Sequence, residues 1–164
     1  MNFLIARFPH VFGAEPEESK TPPATKERTF IMILPDGVQR GLIGKTITHF
    51  KKNSSLKLVA MKHCSQGRAQ IELQYNYLAN EPFFGSLVDY ASSGPICCMI
   101  WEGDQAVATG REMLGSTEPF QSEPGNNHGD FFVDVGRIIY HGSASVESSN
   151  VEIAHWFPEQ EQIT

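Results

Sequence analysis

His141 stands in the stretch "IIYHGSAS" (138–145), after an apolar run and ahead of Gly142 and Ser143, and Glu152 follows eleven residues later. A histidine that accepts a phosphoryl group needs a neutral ring with one nitrogen free. The other nitrogen must donate to an acceptor that fixes tautomer and orientation. Glu152, about two turns into a helix expected over 145–157, is a candidate for that acceptor. Phosphoryl transfer also needs cations and donors around the phosphates, because its catalysis is mostly positioning and charge stabilisation. Arg111 and Thr117 flank the start of a long loop and are candidates for that task. "LPDGVQRG" (34–41) resembles a phosphate loop only in its two glycines. On these residues alone a bland reading competes with the chemical one. A histidine beside a glycine turn is more often structural than catalytic, a single helix arginine is usually a solvated charge, and a threonine caps turns.

The elements that must hold these groups come from a chain of 164 residues with 40% hydrophobic content, enough for one core. The formal charge of −6 disfavours generic nucleic-acid binding through a basic surface. Cys97 and Cys98 are adjacent in an apolar run, so in a strand they point to opposite faces. Cys64 is isolated, and no C-x-x-C metal spacing occurs. Buried, reduced thiols and a cytoplasmic location are expected. The start, "MNFLIARFPHVFGA", is apolar with one arginine, and leaves organelle or membrane association open. No apolar run approaches the ~20 residues of a membrane span.

"AEPEESKTPPATKE" (14–27) reads as a solvated arm, so residues 1–26 are expected to be a disordered or targeting extension, 27–158 the domain and 159–164 a short tail. Within the domain, "RTFIMIL" (28–34) reads as a strand stopped by a Pro35-Asp36-Gly37 turn. Residues 41–52 place Leu42, Ile43, Ile47 and Phe50 near helical spacing. "LKLVAMKH" (56–63) alternates Leu56, Leu58 and Ala60 as a half-buried strand, with His63 at its edge. A helix is expected over 82–93, opened by Pro82, and a central strand covered on both faces over 95–103. "DQAVATGREML" (104–114) reads as an Asp-capped helix, 115–130 as a Gly/Pro/Ser-rich loop, and "FFVDVGRII" (131–139) as a last strand-like segment. In the closing helix over 145–157, Val146, Ile153, Trp156 and Phe157 fall near one face. The pattern is α+β, a few strands with helices packed over them.

The blocks "ERTFIMILPDGVQRGLIG", "PFF", "SGPICCMIWEG", "ATGREMLGSTEP", "GDFFVDVGR" and "HGSASVESS…EIAHWF" resemble, in order and spacing, the nucleoside diphosphate kinase family, over residues 27 to about 158. The resemblance implies a ferredoxin-like four-stranded antiparallel sheet with helices packed on it, assembled as a hexamer or tetramer, with itself or with other family members. It implies a ping-pong reaction in which a histidine takes the γ-phosphoryl of a nucleoside triphosphate and gives it to a diphosphate. Magnesium accompanies the nucleotide, bridging its phosphates without a direct side-chain ligand. Carried over by position, His141 is the phosphorylated histidine, Glu152 its orienter and Ser143 its neighbour. Tyr75 lies near the phosphate, Phe83 stacks on the base, and Arg111 and Thr117 bind phosphate. Pro119 and Gly142 keep their places in the surrounding loops.

Several positions depart from the family's pattern. Leu34 replaces a lysine that contacts phosphate and the sugar, His128 replaces a phosphate-binding arginine, and Ile138 replaces a sugar-binding asparagine. Ala144 and Tyr77 each stand where the family has an acid, and the family's C-terminal extension is cut short after "WFPEQEQIT". A charge-assisted hydrogen bond contributes roughly 1.5–3 kcal/mol. If both lost cations favoured the transition state, their absence would cost about 3–6 kcal/mol, on the order of a hundredfold to ten-thousandfold in rate. The expectation is therefore a kinase of impaired activity, with a catalytically inactive nucleotide-binding or scaffold protein as the alternative.

Overall fold

The apolar run near the start of the domain forms the strand Glu27–Ile33 (β1), buried from Thr29 onward. It lies inside a sheet, so its apolar residues alternate between two covered faces. Phe30 and Met32 enter one core cluster, Ile31 and Ile33 the other. The computed structural model describes residues 26–115 and 138–158. The expected strand over 131–139 falls largely outside these. Its described residues, 138 and 139, lead into the strand Tyr140–Gly142 (β4) instead of forming it.

The other strands are Leu56–Cys64 (β2) and Ile96–Gly103 (β3). Together they make an antiparallel sheet of order β2-β3-β1-β4, the ferredoxin-like arrangement. The continuous apolar run of β3 is buried on both faces, as expected of a central strand. Cys97 and Cys98 divide between the two clusters. Cys64 is only partly buried. The strict alternation expected for β2 fails at one place. A register irregularity between Leu58 and Ala60 inserts a residue, so Leu56 and Leu58 pack on one face while Val59 and Ala60 pack on the other.

Among the described residues, six helices cover the sheet. Pro35–Gln39 (α1) replaces the expected turn, with Pro35 in its first turn, where a missing N–H costs nothing. Ile43–Lys51 (α2) and Ala106–Leu114 (α5) pack on the Ile31/Ile33 face, through Phe50, Ala106 and Leu114. Arg68–Gln74 (α3), Phe84–Ala91 (α4) and Val146–Trp156 (α6) pack on the Phe30/Met32 face, through Ile71, Val88, Ile153 and Trp156. A single 3-10 turn, Asn76–Leu78, follows α3. The helix α3 has no counterpart among the segments singled out from the sequence.

Two local expectations are corrected. Asp104 does not cap α5; the residue before the helix is Gln105, in the left-handed region (φ 47°). The Val107 N–H instead donates to Glu27 Oε1 at 2.7 Å, so a strand residue satisfies the helix start. In α6, Val146 is exposed, and the inward stripe is Ser149, Glu152, Ile153 and Trp156. Polar groups share that stripe because α6 closes the site as well as the core.

Candidate active site

The register of β4 decides where His141 points. Met32 pairs with His141, and paired residues of an antiparallel ladder share a face. His141 therefore faces the side covered by α3, α4 and α6, with its ring 6.0 Å from that of Phe30. Gly142, which ends β4, is not a turn residue. A Cβ there would lie 2.6 Å from Leu114 Cδ1, so the glycine lets α5 approach the strand beside the histidine.

The closing helix brings Glu152 to the ring. Ser145 and Ser148 cap α6 reciprocally: the Ser148 N–H donates to Ser145 Oγ (3.1 Å) and the Ser145 N–H to Ser148 Oγ (2.9 Å). Ser149 Oγ donates to the Arg28 carbonyl at 2.8 Å, which pins the helix to β1. One turn on, Glu152 Oε1 lies 2.6 Å from His141 Nε2, and Ser143 Oγ donates to Glu152 Oε2 at 2.5 Å. Ser143 Oγ also accepts from the Phe30 N–H at 3.1 Å, so the serine is held by the strand and in turn holds the carboxylate.

Burial pushes the Glu152 carboxyl up, but hydrogen bonds from His141, Ser143 and Gln74, with the attraction of His141, outweigh it and hold the group below the usual glutamate value. An ionised carboxylate only accepts, so the proton in the 2.6 Å contact belongs to His141 Nε2. In the neutral ring this leaves the lone pair on Nδ1. Among the described residues, the side-chain polar contacts of the His141 ring all lie at Nε2, where Glu152 accepts its proton.

The histidine opens onto a cavity of about 1200 Å³. Arg111 on α5, Phe83 at the head of α4, Tyr75 at the end of α3, and Tyr77, Ile138 and Glu152 line it too. Tyr75 is nearly buried and sets its ring edge-on to His141, with centroids 5.5 Å apart and planes at 89°. Burial, with Tyr77 and Glu152 nearby, pushes its hydroxyl well above the ordinary tyrosine value. Phe83 is half exposed, and Arg111 is the one lysine or arginine among the described lining residues. Ile138 and Ala144 also line the cavity, but Leu34 does not. Its side chain is fully buried in the core with Phe30, Met32 and Ile71. Thr117, Pro119 and His128 lie outside the described residues.

The sequence of the nucleoside diphosphate kinase family, as a profile, matches residues 27–162. The chain belongs to this family. It is 51% identical over 138 residues to the nucleoside diphosphate kinase of Neurospora crassa, covering 84% of this chain and 90% of that one. It is 55% identical over 133 residues to nucleoside diphosphate kinase 1 of Zea mays, covering 81% and 89%. Among solved structures it is similar to the nucleoside diphosphate kinase of Encephalitozoon cuniculi, in its apo form (TM-score 0.79, 38% identity, 84% of this chain and 93% of that one). A nucleoside diphosphate kinase family protein of Babesia bovis is similarly close (TM-score 0.80, 42% identity, 84% and 93%).

Against that family frame, one polar group was not singled out from the sequence. Gln74 is buried, and its amide nitrogen lies 2.9 Å from Glu152 Oε1 and 3.1 Å from His141 Nε2. Nothing local marks it in "RAQIELQ"; its place follows from the end of α3 meeting α6. Tyr90 was read only as part of a helix. Its hydroxyl donates to the Ile138 carbonyl at 2.9 Å and accepts from the Asp36 N–H at 3.4 Å, joining α4 to both rims of the cavity.

Proposed function

We propose that this family member transfers the γ-phosphoryl group of a nucleoside triphosphate to a nucleoside diphosphate through His141, at a rate below that of a family member with the full phosphate clamp. The observation that carries this reading is the His141–Glu152–Ser143 chain opening onto a cavity shared with Arg111 and Phe83. Nδ1 attacks the γ-phosphorus, the bond to the β-phosphate oxygen breaks, and the nucleoside diphosphate departs. A second diphosphate then attacks the phosphorus, and the ring regains its lone pair. The proton on Nε2 stays with the Glu152 pair throughout, where the carboxylate stabilises positive charge developing on the ring.

Phe83, exposed at the mouth, offers a face for the base, and Arg111 a guanidinium for phosphate. Thr117 and Tyr75 complete the proposed contacts, and His128 stands where a permanent cation would serve better. Magnesium belongs to the substrate in this reading, carried by the phosphate oxygens of the nucleotide. Among the described residues no helix is long and apolar enough to cross a membrane. The proposal includes a cytoplasmic location and assembly as a hexamer or tetramer.

A second reading, nucleotide binding or scaffolding without turnover, is favoured by Ile138 in the cavity wall and by Leu34 sealed in the core. The two separate when the purified protein is mixed with γ-labelled ATP, magnesium and a different nucleoside diphosphate. The kinase reading predicts label in the new triphosphate. Nucleotide binding with no transferred label would replace it with the second reading.

A further inference from the structure

Resting on the reading of His141 as the phosphoryl acceptor, we propose that Tyr77 is a further substrate-binding residue, whose hydroxyl donates to the terminal phosphoryl group of a nucleoside triphosphate. Tyr77 lies in the 3-10 turn Asn76–Leu78 that follows α3. In such a turn residues three apart share a side. Tyr75 and Leu78 take the inward side and pack on the Phe30/Met32 core, while Tyr77 is left 69% exposed. Its ring nevertheless stays on the cavity side. It lines the same hollow as His141, Arg111 and Phe83, and its centroid lies 6.4 Å from that of Tyr75, with planes at 48°. Tyr75 in turn sets its edge to His141 at 5.5 Å. The three rings thus run in series from solvent to the histidine.

The Tyr77 hydroxyl lies within reach of the Glu152 charge, at the histidine end of the cavity. Burial and that charge push it above the ordinary tyrosine value, and Tyr77 adds to the same effect on Tyr75. A phenol that keeps its proton is a donor. Among the described residues the Tyr77 hydroxyl makes no hydrogen bond, so donating to a ligand breaks none. A phosphate needs such a donor here. Arg111 is the one lysine or arginine among the described lining residues, while Glu152 and Asp36 bring negative charge. A neutral O–H gives a phosphate oxygen a charge-assisted hydrogen bond without a cation. The family resemblance implies an acid at this position. Tyrosine takes away a charge that would repel the phosphates and sets a donor in its place.

The test is calorimetric binding to the full chain in the presence of magnesium, as wild type and Tyr77→Phe. The substitution removes one oxygen from an exposed side chain and keeps the ring, so the fold is retained. The probes are the triphosphate analogue AMP-PNP, whose terminal group resists transfer, and ADP, which lacks that group. AMP-PNP affinity is expected to fall about tenfold in Tyr77→Phe, the loss of one hydrogen bond to a charged group, and ADP affinity by less than about twofold. Equal AMP-PNP affinity in the two proteins would overturn the proposal. So would an equal loss for both nucleotides, which would set the hydroxyl against the part of the molecule they share. Binding does not depend on phosphoryl transfer. A wild type that binds AMP-PNP but passes no label from ATP would remove the proposed turnover and leave the Tyr77 contact standing. A wild type that binds neither nucleotide would remove both.

Discussion

Glu152 carries the clearest consequence at the scale of a residue. Its carboxyl is held below the usual value in the folded chain, so it adds stability above the ordinary glutamate value of about 4.3. That stability is lost as pH falls through the lowered folded value. The stability gap between wild type and Glu152→Gln, measured by urea unfolding, is expected to be full near neutrality and to close in acid. The same variant should lose about tenfold to a hundredfold in phosphoryl uptake, since a hydrogen bond to a charged group contributes about 1.5–3 kcal/mol. Leu34 makes the opposite case. It looks like a simple missing cation, but it packs in the core with Phe30 and Met32. Leu34→Lys should therefore cost about 2–5 kcal/mol of stability. An unchanged denaturation midpoint would mean that the new ammonium group reaches the cavity. His141 and Glu152 were legible as a pair through the resemblance, not through local chemistry, which favoured a structural histidine. Gln74 was not legible at all, because its partners are 67, 78 and 82 residues away.

At the scale of the element, β4 is the weakest and most consequential piece. It has three residues, pairs with β1 alone among the described strands, and still sets the face on which His141 lies. Gly142→Ala would drive a methyl group into Leu114, itself buried, and Ile31 Cδ1 is 3.3 Å from the added carbon. The expected cost is about 1–3 kcal/mol, read as a lowered thermal midpoint. A midpoint equal to wild type would show that α5 moves freely from the sheet. Helical spacing located α2, unbroken apolar runs located β1 and β3, and its opening proline located α4. The local pattern misread β2 because an inserted residue reverses the faces midway, and α5 because its cap comes from Glu27 in a distant strand. No window along the chain contains either fact.

At the scale of the whole molecule, the four-stranded antiparallel sheet was legible through the resemblance that the ordered sequence blocks carry, and the structure bears out the ferredoxin-like arrangement. The strand β2 lies at the edge of the described sheet, with its unpaired backbone groups open to a further strand. Sedimentation is expected to give four or six times the 18.3 kDa chain mass, and a lone monomer at micromolar concentration would count against the assembly proposal.

The central claim is that His141 is a nucleophile with a free Nδ1. It is tested most directly by incubating the protein with magnesium and γ-labelled ATP, then locating the label. The account predicts acid-labile, base-stable phosphate on Nδ1 of His141, absent from His141→Ala. Folded, nucleotide-bound wild type that acquires no label, or carries it on another residue, would contradict it.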